Sequence, residues 1–196
     1  MSQEEPHVVS ALVDLCRKIG VSCLVQIGAE DGYEAEQVRL ATGCRAVAID
    51  ADPQCGPLNG AGIEWHTAFI GATDCAAFPF YLYGTGLSTP FKRDENAKPV
   101  EYPQVRLDTF CRDNGIIPDA LVIDTEGSTL DVLEGCGELL ADVKMCYAEV
   151  QAYAIRDGIR PVSDIDALLL PLGFTHHLGL PSYDGGAQSN LTCIRL

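Results

Sequence analysis

Three short runs, CLVQI at 23–27, AVAI at 46–49 and ALVI at 120–123, are each closed by a glycine or an aspartate: Gly28, Asp50 and Asp124. Apart from Gln26 they have no polar alternation, so they suit strands buried on both faces, which occur in parallel sheets covered by helices. Helical spacing separates them. Val8, Val9, Leu12, Val13 and Cys16 recur at that spacing over 7–19 before Gly20, and a second helical stretch over 33–42 is closed by Gly43. The order of strand, tight turn and helix predicts an α/β fold with a parallel sheet and helices on both faces. In such sheets ligands sit at the carboxyl ends of the strands.

The remaining elements follow the same alternation. A third strand is expected over 63–70, a turn at 71–74, and a hairpin partner over 78–83. The stretch 84–103, rich in glycine and with three prolines, reads as a long surface loop, a class that includes lids over active sites. Helices are expected over 107–114, 129–140 and near 163–170, with strands at 145–150, near 174–178 and at 191–196. The length of 196 residues suits one domain: a helical segment over 1–20 and a ligand-binding domain over 21–196.

Charge narrows the partners. Thirteen Lys and Arg stand against 28 Asp and Glu, a formal charge of −15, which repels phosphate backbones and anionic lipid. Neither nucleic acid nor a membrane surface is an expected partner, and no apolar run approaches the length of a membrane span. The nine cysteines are scattered and form no CxxC pair, so they predict buried thiols in a reducing, cytoplasmic setting. The oligomeric state is not legible.

The turn after the first strand is Gly28-Ala29-Glu30-Asp31-Gly32. Glu30, Asp31, Glu34 and Glu36 would face a dinucleotide pyrophosphate with several negative charges, which disfavours NAD. A ligand bearing an ammonium group suits this turn. The competing reading, that acids favour a helix N-terminus through its dipole, stays open for the turn and is preferred for Glu34 and Glu36. Asp50 ends the second strand where a carboxylate can accept both hydroxyls of a ribose, with Ala51 beside it. Asp52 reads as an ordinary loop acid.

Six segments, LVQIGAEDGYEAEQV (24–38), VAIDADP (47–53), WHTAFIG (65–71), VRLDTF (105–110), VIDTEGSTLDVLEG (122–135) and YAEVQ (147–151), together resemble the class I S-adenosylmethionine (SAM)-dependent methyltransferases of the FkbM type, in that family's order. The resemblance implies a Rossmann-like, mostly parallel seven-stranded sheet with a C-terminal antiparallel hairpin. It also implies SAM as methyl donor and O-methylation of a hydroxyl on a small metabolite, sugar or polyketide-like acceptor, the partner being a small molecule or glycan. Carried onto this chain, Gly28, Ala29, Glu30 and Gly32 wrap the methionine part, Asp50 and Ala51 hold the ribose, and Ala68 and Phe69 flank the adenine. Asp124 faces the sulfonium and the reacting centre. One departure is Gln26, where the family commonly has an acid.

Methyl transfer to an alcohol needs alignment and a base. The candidates are Asp124, Glu126, Glu149 and His66. In extended geometry Asp124 and Glu126 point the same way and could hold a hydroxyl, an ammonium or a divalent ion. The ion ranks last, because no Asp-Asn ligand set stands out. A core or solvent-facing role is preferred for His66 and a packing role for Trp65, and adjacent His176 and His177 lie on opposite faces of a strand. Ser88, Thr89 and Lys92 could touch ligand from the loop, and Tyr153 and Arg156 lie at the sheet edge that lines an acceptor pocket. The alternative is a catalytically silent relative that keeps the fold as an accessory or scaffolding subunit.

Overall fold

The computed structural model describes residues 6–84, 86–151, 158–177 and 188–195. Helix α1 (Pro6–Ile19) is followed by β1 (Cys23–Ile27), α2 (Tyr33–Thr42), β2 (Arg45–Asp50), β3 (Glu64–Thr67), β4 (Phe69–Gly71), β5 (Cys75–Phe80) and β6 (Val100–Arg106). Then come α3 (Leu107–Asn114), β7 (Ala120–Ile123), α4 (Thr129–Cys136), β8 (Met145–Gln151), α5 (Val162–Leu169), β9 (Thr175–His176) and β10 (Gln188–Ile194). The main sheet has seven strands in the order β3-β2-β1-β7-β8-β10-β9, with β10 antiparallel to both neighbours. This is the mostly parallel sheet with a C-terminal antiparallel pair that the alternation and the family resemblance imply.

Strand periodicity divides the core in two. Val25, Ile27, Val47, Ile49, Leu121, Ile123, Cys146 and Ala148 pack in one cluster with residues of α3, α4 and α5. Their alternates Leu24, Ala46, Ala120, Val122, Met145 and Tyr147 pack in another with α1 and α2, where Leu12 and Cys16 are fully buried. A Leu12→Ala cavity there costs about 2–5 kcal/mol. Seven of the nine cysteines are buried in these layers, Cys55 is buried outside them, and all nine are free. Burial pushes the Cys16 and Cys111 thiols up to about 12, so they stay protonated and act as small apolar groups.

Asp119 ties the amino ends of the central strands together. It accepts from the backbone N–H of Ser22 and Cys23, the Ser22 hydroxyl and Lys144 Nζ at 2.8–3.1 Å.

Six expectations change. The run 63–70 is two strands: Ala68 N–H still donates to Asp50 O at 2.9 Å, and the chain then leaves the main sheet so that Phe69 pairs with Gln104. The hairpin partner expected over 78–83 is instead β5, at 75–80, and it does not pair with β4, because β6 lies between them in a second sheet of order β4-β6-β5. The end of the expected loop 84–103 is therefore strand. Pro103, lacking an N–H, sits opposite the register irregularity between Cys75 and Phe78, where no ladder bond is demanded of it. Helix 129–140 ends at Cys136, where Gly137 (φ +51°) begins a 3-10 turn, Gly137–Ala141. The strand expected near 174–178 is the two-residue β9, and the last strand starts three residues earlier than expected, at Gln188.

Candidate functional site

A cavity of about 1020 Å³ opens over the carboxyl ends of β1, β2, β7 and β8. Its floor is the β1–α2 turn against the end of β7. Gly28 has φ +75°, and a Cβ there would lie 1.7 Å from the Asp124 carbonyl oxygen, so only glycine lets the two strand ends approach this closely. Gly28 and Ala29 N–H both donate to Ile49 O, and Asp124 N–H donates to Ile27 O, which locks the three strand ends in register.

Of the residues singled out for the cofactor, Gly28, Ala29, Glu30, Asp50, Ala51, Ala68, Phe69 and Asp124 all line this cavity, as do Glu126 and Glu149. Gly32 lies outside the lining. Its Cα faces Ile63, and it shapes the turn as the left-handed N-cap of α2. Asp50 Oδ2 accepts from Glu30 N–H and Oδ1 from Asp52 N–H, both at 2.8 Å, so each oxygen is oriented by backbone, and the Cys55 thiol is a third partner of the carboxylate. Burial pushes the Asp50 carboxyl up, partly offset by those two N–H groups.

Glu126 does not continue a strand beside Asp124. Its backbone is left-handed at φ +53°, and its carboxylate is paired with the Arg93 guanidinium, which lies 5.9 Å from the centre of the Tyr83 ring. The extended-geometry reading of the two acids is thereby corrected: β7 stops at Ile123, and the chain turns into α4. Glu126 is ion-paired from the loop side by Arg93.

Gly86, Leu87, Ser88 and Pro90 of the loop form a wall of the cavity. Ser88 Oγ donates to Asp52 Oδ2 at 2.7 Å on the β2 side, and Thr89 Oγ1 donates to Glu126 O at 3.0 Å on the β7 side. Phe91 packs against Gly127 and Gly158. Lys92 is exposed and outside the lining. His66 also lies outside it, bonded to Glu64 at 2.8 Å and edge-on to Phe110, and Trp65 packs behind Gly32. His176 pairs with Asp166 at 2.7 Å. Tyr153 and Arg156 lie outside the described residues.

Sequence reasoning passed over three lining features. Thr125 Oγ1 is buried with no hydrogen-bond partner. Glu34, read as a helix-dipole acid, lines the cavity, bonded by Gln26. Asn190, opposite Glu149 on β10, completes the far wall. No Lys or Arg among the described residues lines the cavity. Among the described residues no group of three or more His, Cys, Asp or Glu could hold a metal, and no helix is long and apolar enough to cross a membrane.

The sheet order and the site at its carboxyl edge define a Rossmann-like fold of the kind found in methyltransferases. Residues 26–176 match the methyltransferase FkbM domain, and the chain belongs to that family. No curated protein has a sequence that matches it. Among solved structures, it is similar to the magnesium protoporphyrin IX methyltransferase of Synechocystis with bound SAM, at 10% identity over 97% of this chain and 79% of that one, TM-score 0.54. It is likewise similar to an O-methyltransferase from Bacillus cereus in complex with S-adenosylhomocysteine (SAH), at 12% identity over 97% and 82% of the two chains, TM-score 0.51. At these identities the likeness is one of fold.

Proposed function

We propose that the protein is a SAM-dependent O-methyltransferase acting on a hydroxyl of a small metabolite, sugar or polyketide-like acceptor. The observation that carries the reading is one cavity at the carboxyl edge of a family-matched sheet that gathers Asp50, the Gly28 turn and Asp124. The residues present fit the donor. Asp50, its carboxylate oriented by two backbone N–H groups, lines the cavity where ribose hydroxyls can donate to it, and Ala68 and Phe69 give an apolar slot for a base. The floor at Gly28 is backbone alone, and the orphaned Thr125 hydroxyl is left for a ligand.

When bound, SAM supplies an electrophilic methyl on a cationic sulfur, which leaves neutral. Asp124, exposed in the cavity at the end of β7, faces the reacting centre and accepts the hydroxyl proton as the acceptor oxygen forms its bond to carbon. Glu149 stands on β8, the neighbouring strand, as the second acid able to orient that hydroxyl. A base placed in this way contributes about 10²- to 10⁴-fold. Leu87, Ser88 and Pro90 line the cavity from the loop side.

Calorimetric titration of the purified protein with SAM and SAH tests the reading. Micromolar binding of both, followed by methyl transfer to a hydroxylated acceptor, is expected. Failure of both to bind a folded sample overturns it and favours a silent relative.

A further inference from the structure

Glu126 lines the cavity without a part in the transfer step, and what it holds is the segment 86–93. That segment lies between β5, which ends at Phe80, and β6, which begins at Val100, and belongs to neither strand nor helix. On the β7 side it has three attachments. The Arg93 guanidinium pairs with the Glu126 carboxylate, and Thr89 Oγ1 donates to Glu126 O at 3.0 Å. Phe91 lies over Gly127 and Gly158, where a Cβ on Gly158 would come within 2.8 Å of its ring. Glu126, at φ +53°, thus presents both its carbonyl and its carboxylate to one segment.

On the β2 side, Ser88 Oγ donates to Oδ2 of the buried Asp52 at 2.7 Å, and Gly86 N–H donates to the Cys55 thiol. A Cβ on Gly86 would stand 3.2 Å from the Glu30 carboxylate, so the segment passes close over the β1–α2 turn. It therefore crosses the cavity from the end of β2, beside Asp50, to the end of β7, beside Asp124. A donor spanning those two acids lies beneath it, and one side must let go before a molecule of that length passes. The β7 side yields more readily. Water can replace the partners of Glu126, whose side chain is 23% exposed, at less cost than those of Asp52, which is 1% exposed.

We propose that residues 86–93 are a strap latched on Glu126, which opens at Thr89 and Arg93 to admit SAM and to release SAH. This assignment rests on the SAM reading of the cavity. The latch is made whether or not the donor is bound, so weakening it raises the open fraction of both forms alike. Entry and release then quicken together while affinity holds. A fixed wall behaves otherwise: loosening it speeds release alone and lowers affinity.

Surface plasmon resonance with SAH, whose ammonium and carboxylate cancel in charge, separates the two in Thr89→Val and Arg93→Ala, residues outside the cavity lining. Both rates should rise together, about two- to tenfold in Thr89→Val and about ten- to a hundredfold in Arg93→Ala, with Kd within about threefold of wild type. Unchanged rates overturn the strap, as does faster release without faster association. Wild type gives an independent reading, because Lys92 and Arg93 are tryptic sites within the strap. SAH at about a hundred times its Kd should slow cleavage there about tenfold or more, and equal cleavage with and without SAH overturns the strap even where a variant fails to fold. If wild type binds neither SAM nor SAH, the SAM reading falls and the strap with it.

Discussion

Replacing Gly28 with alanine superimposes two costs that a second glycine can separate. The first is backbone: φ is +75°, and a left-handed conformation costs an L-residue about 1–2 kcal/mol. The second is overlap. The new Cβ would stand 1.7 Å from Asp124 O and 2.6 Å from Asp124 C, whereas ordinary contacts are 3.4–4 Å. The ends of β1 and β7 must therefore part by well over an ångström, straining the 2.9 Å bond from Asp124 N–H to Ile27 O, and overpacking of this kind costs about 1–3 kcal/mol. The sum is about 2–5 kcal/mol, out of a total stability of about 5–15. For a domain of this size it corresponds to a fall in Tm of about 4–20 °C. Gly20 supplies the control, since it has φ +67° and nothing within 4 Å of its virtual Cβ, so Gly20→Ala bears only the backbone part. Urea unfolding of both variants beside wild type gives the comparison. A Gly28→Ala protein as stable as Gly20→Ala would refute the reasoning, because the crowding between strand ends would then cost nothing.

Asp50→Ala should weaken SAM binding at least about tenfold while the circular dichroism spectrum stays native; unchanged affinity by calorimetry removes the ribose role. Asp124→Asn keeps the shape of an exposed side chain, so turnover should drop by about 10²-fold or more with little change in Tm, and full activity takes Asp124 out of the reaction centre. Asp119→Ala leaves the N–H groups of Ser22 and Cys23 without their acceptor and should cost about 2–4 kcal/mol in urea unfolding. Burial raises the Asp119 carboxyl, but the Cys23 and Ser22 N–H groups and Lys144 outweigh it and hold it below the usual value. Its contribution is therefore present above the ordinary aspartate range and is lost as pH falls below about 4. The variant should show a flatter acid limb than wild type, and identical limbs would contradict the linkage.

What could be read from the chain beforehand was what burial writes into composition. CLVQI, AVAI and ALVI lie in a fully covered sheet, so every position is apolar except Gln26, and that exception marks a polar task. The second sheet was illegible because β6, VEYPQVR, is mostly exposed or half-buried, contains Pro103 and gains its pairing only from strands distant in sequence. The break at Ala68 carries no local signal at all. At the site, Gly28, Asp50 and Asp124 stood out as terminators of apolar runs. Glu126 was misplaced because positive φ in a glutamate has no compositional mark. Glu34 was assigned to the helix dipole, a correct local statement that hid its neighbour Gln26, eight residues earlier and across the turn.

β9 can join the main sheet only through β10, because residues 188–194 lie between it and β8. Until that late segment arrives, β8 presents an open, largely apolar edge of seven residues, MCYAEVQ, to its surroundings. The parallel units β1-α2-β2 and β7-α4-β8 can form early from contiguous chain, whereas the far side of the sheet waits for a distant piece to be inserted. Such a half-built sheet is a template for pairing with other chains. Substitutions that slow the docking of β10 are therefore expected to show as lost yield in cells before any loss of melting temperature in the purified protein.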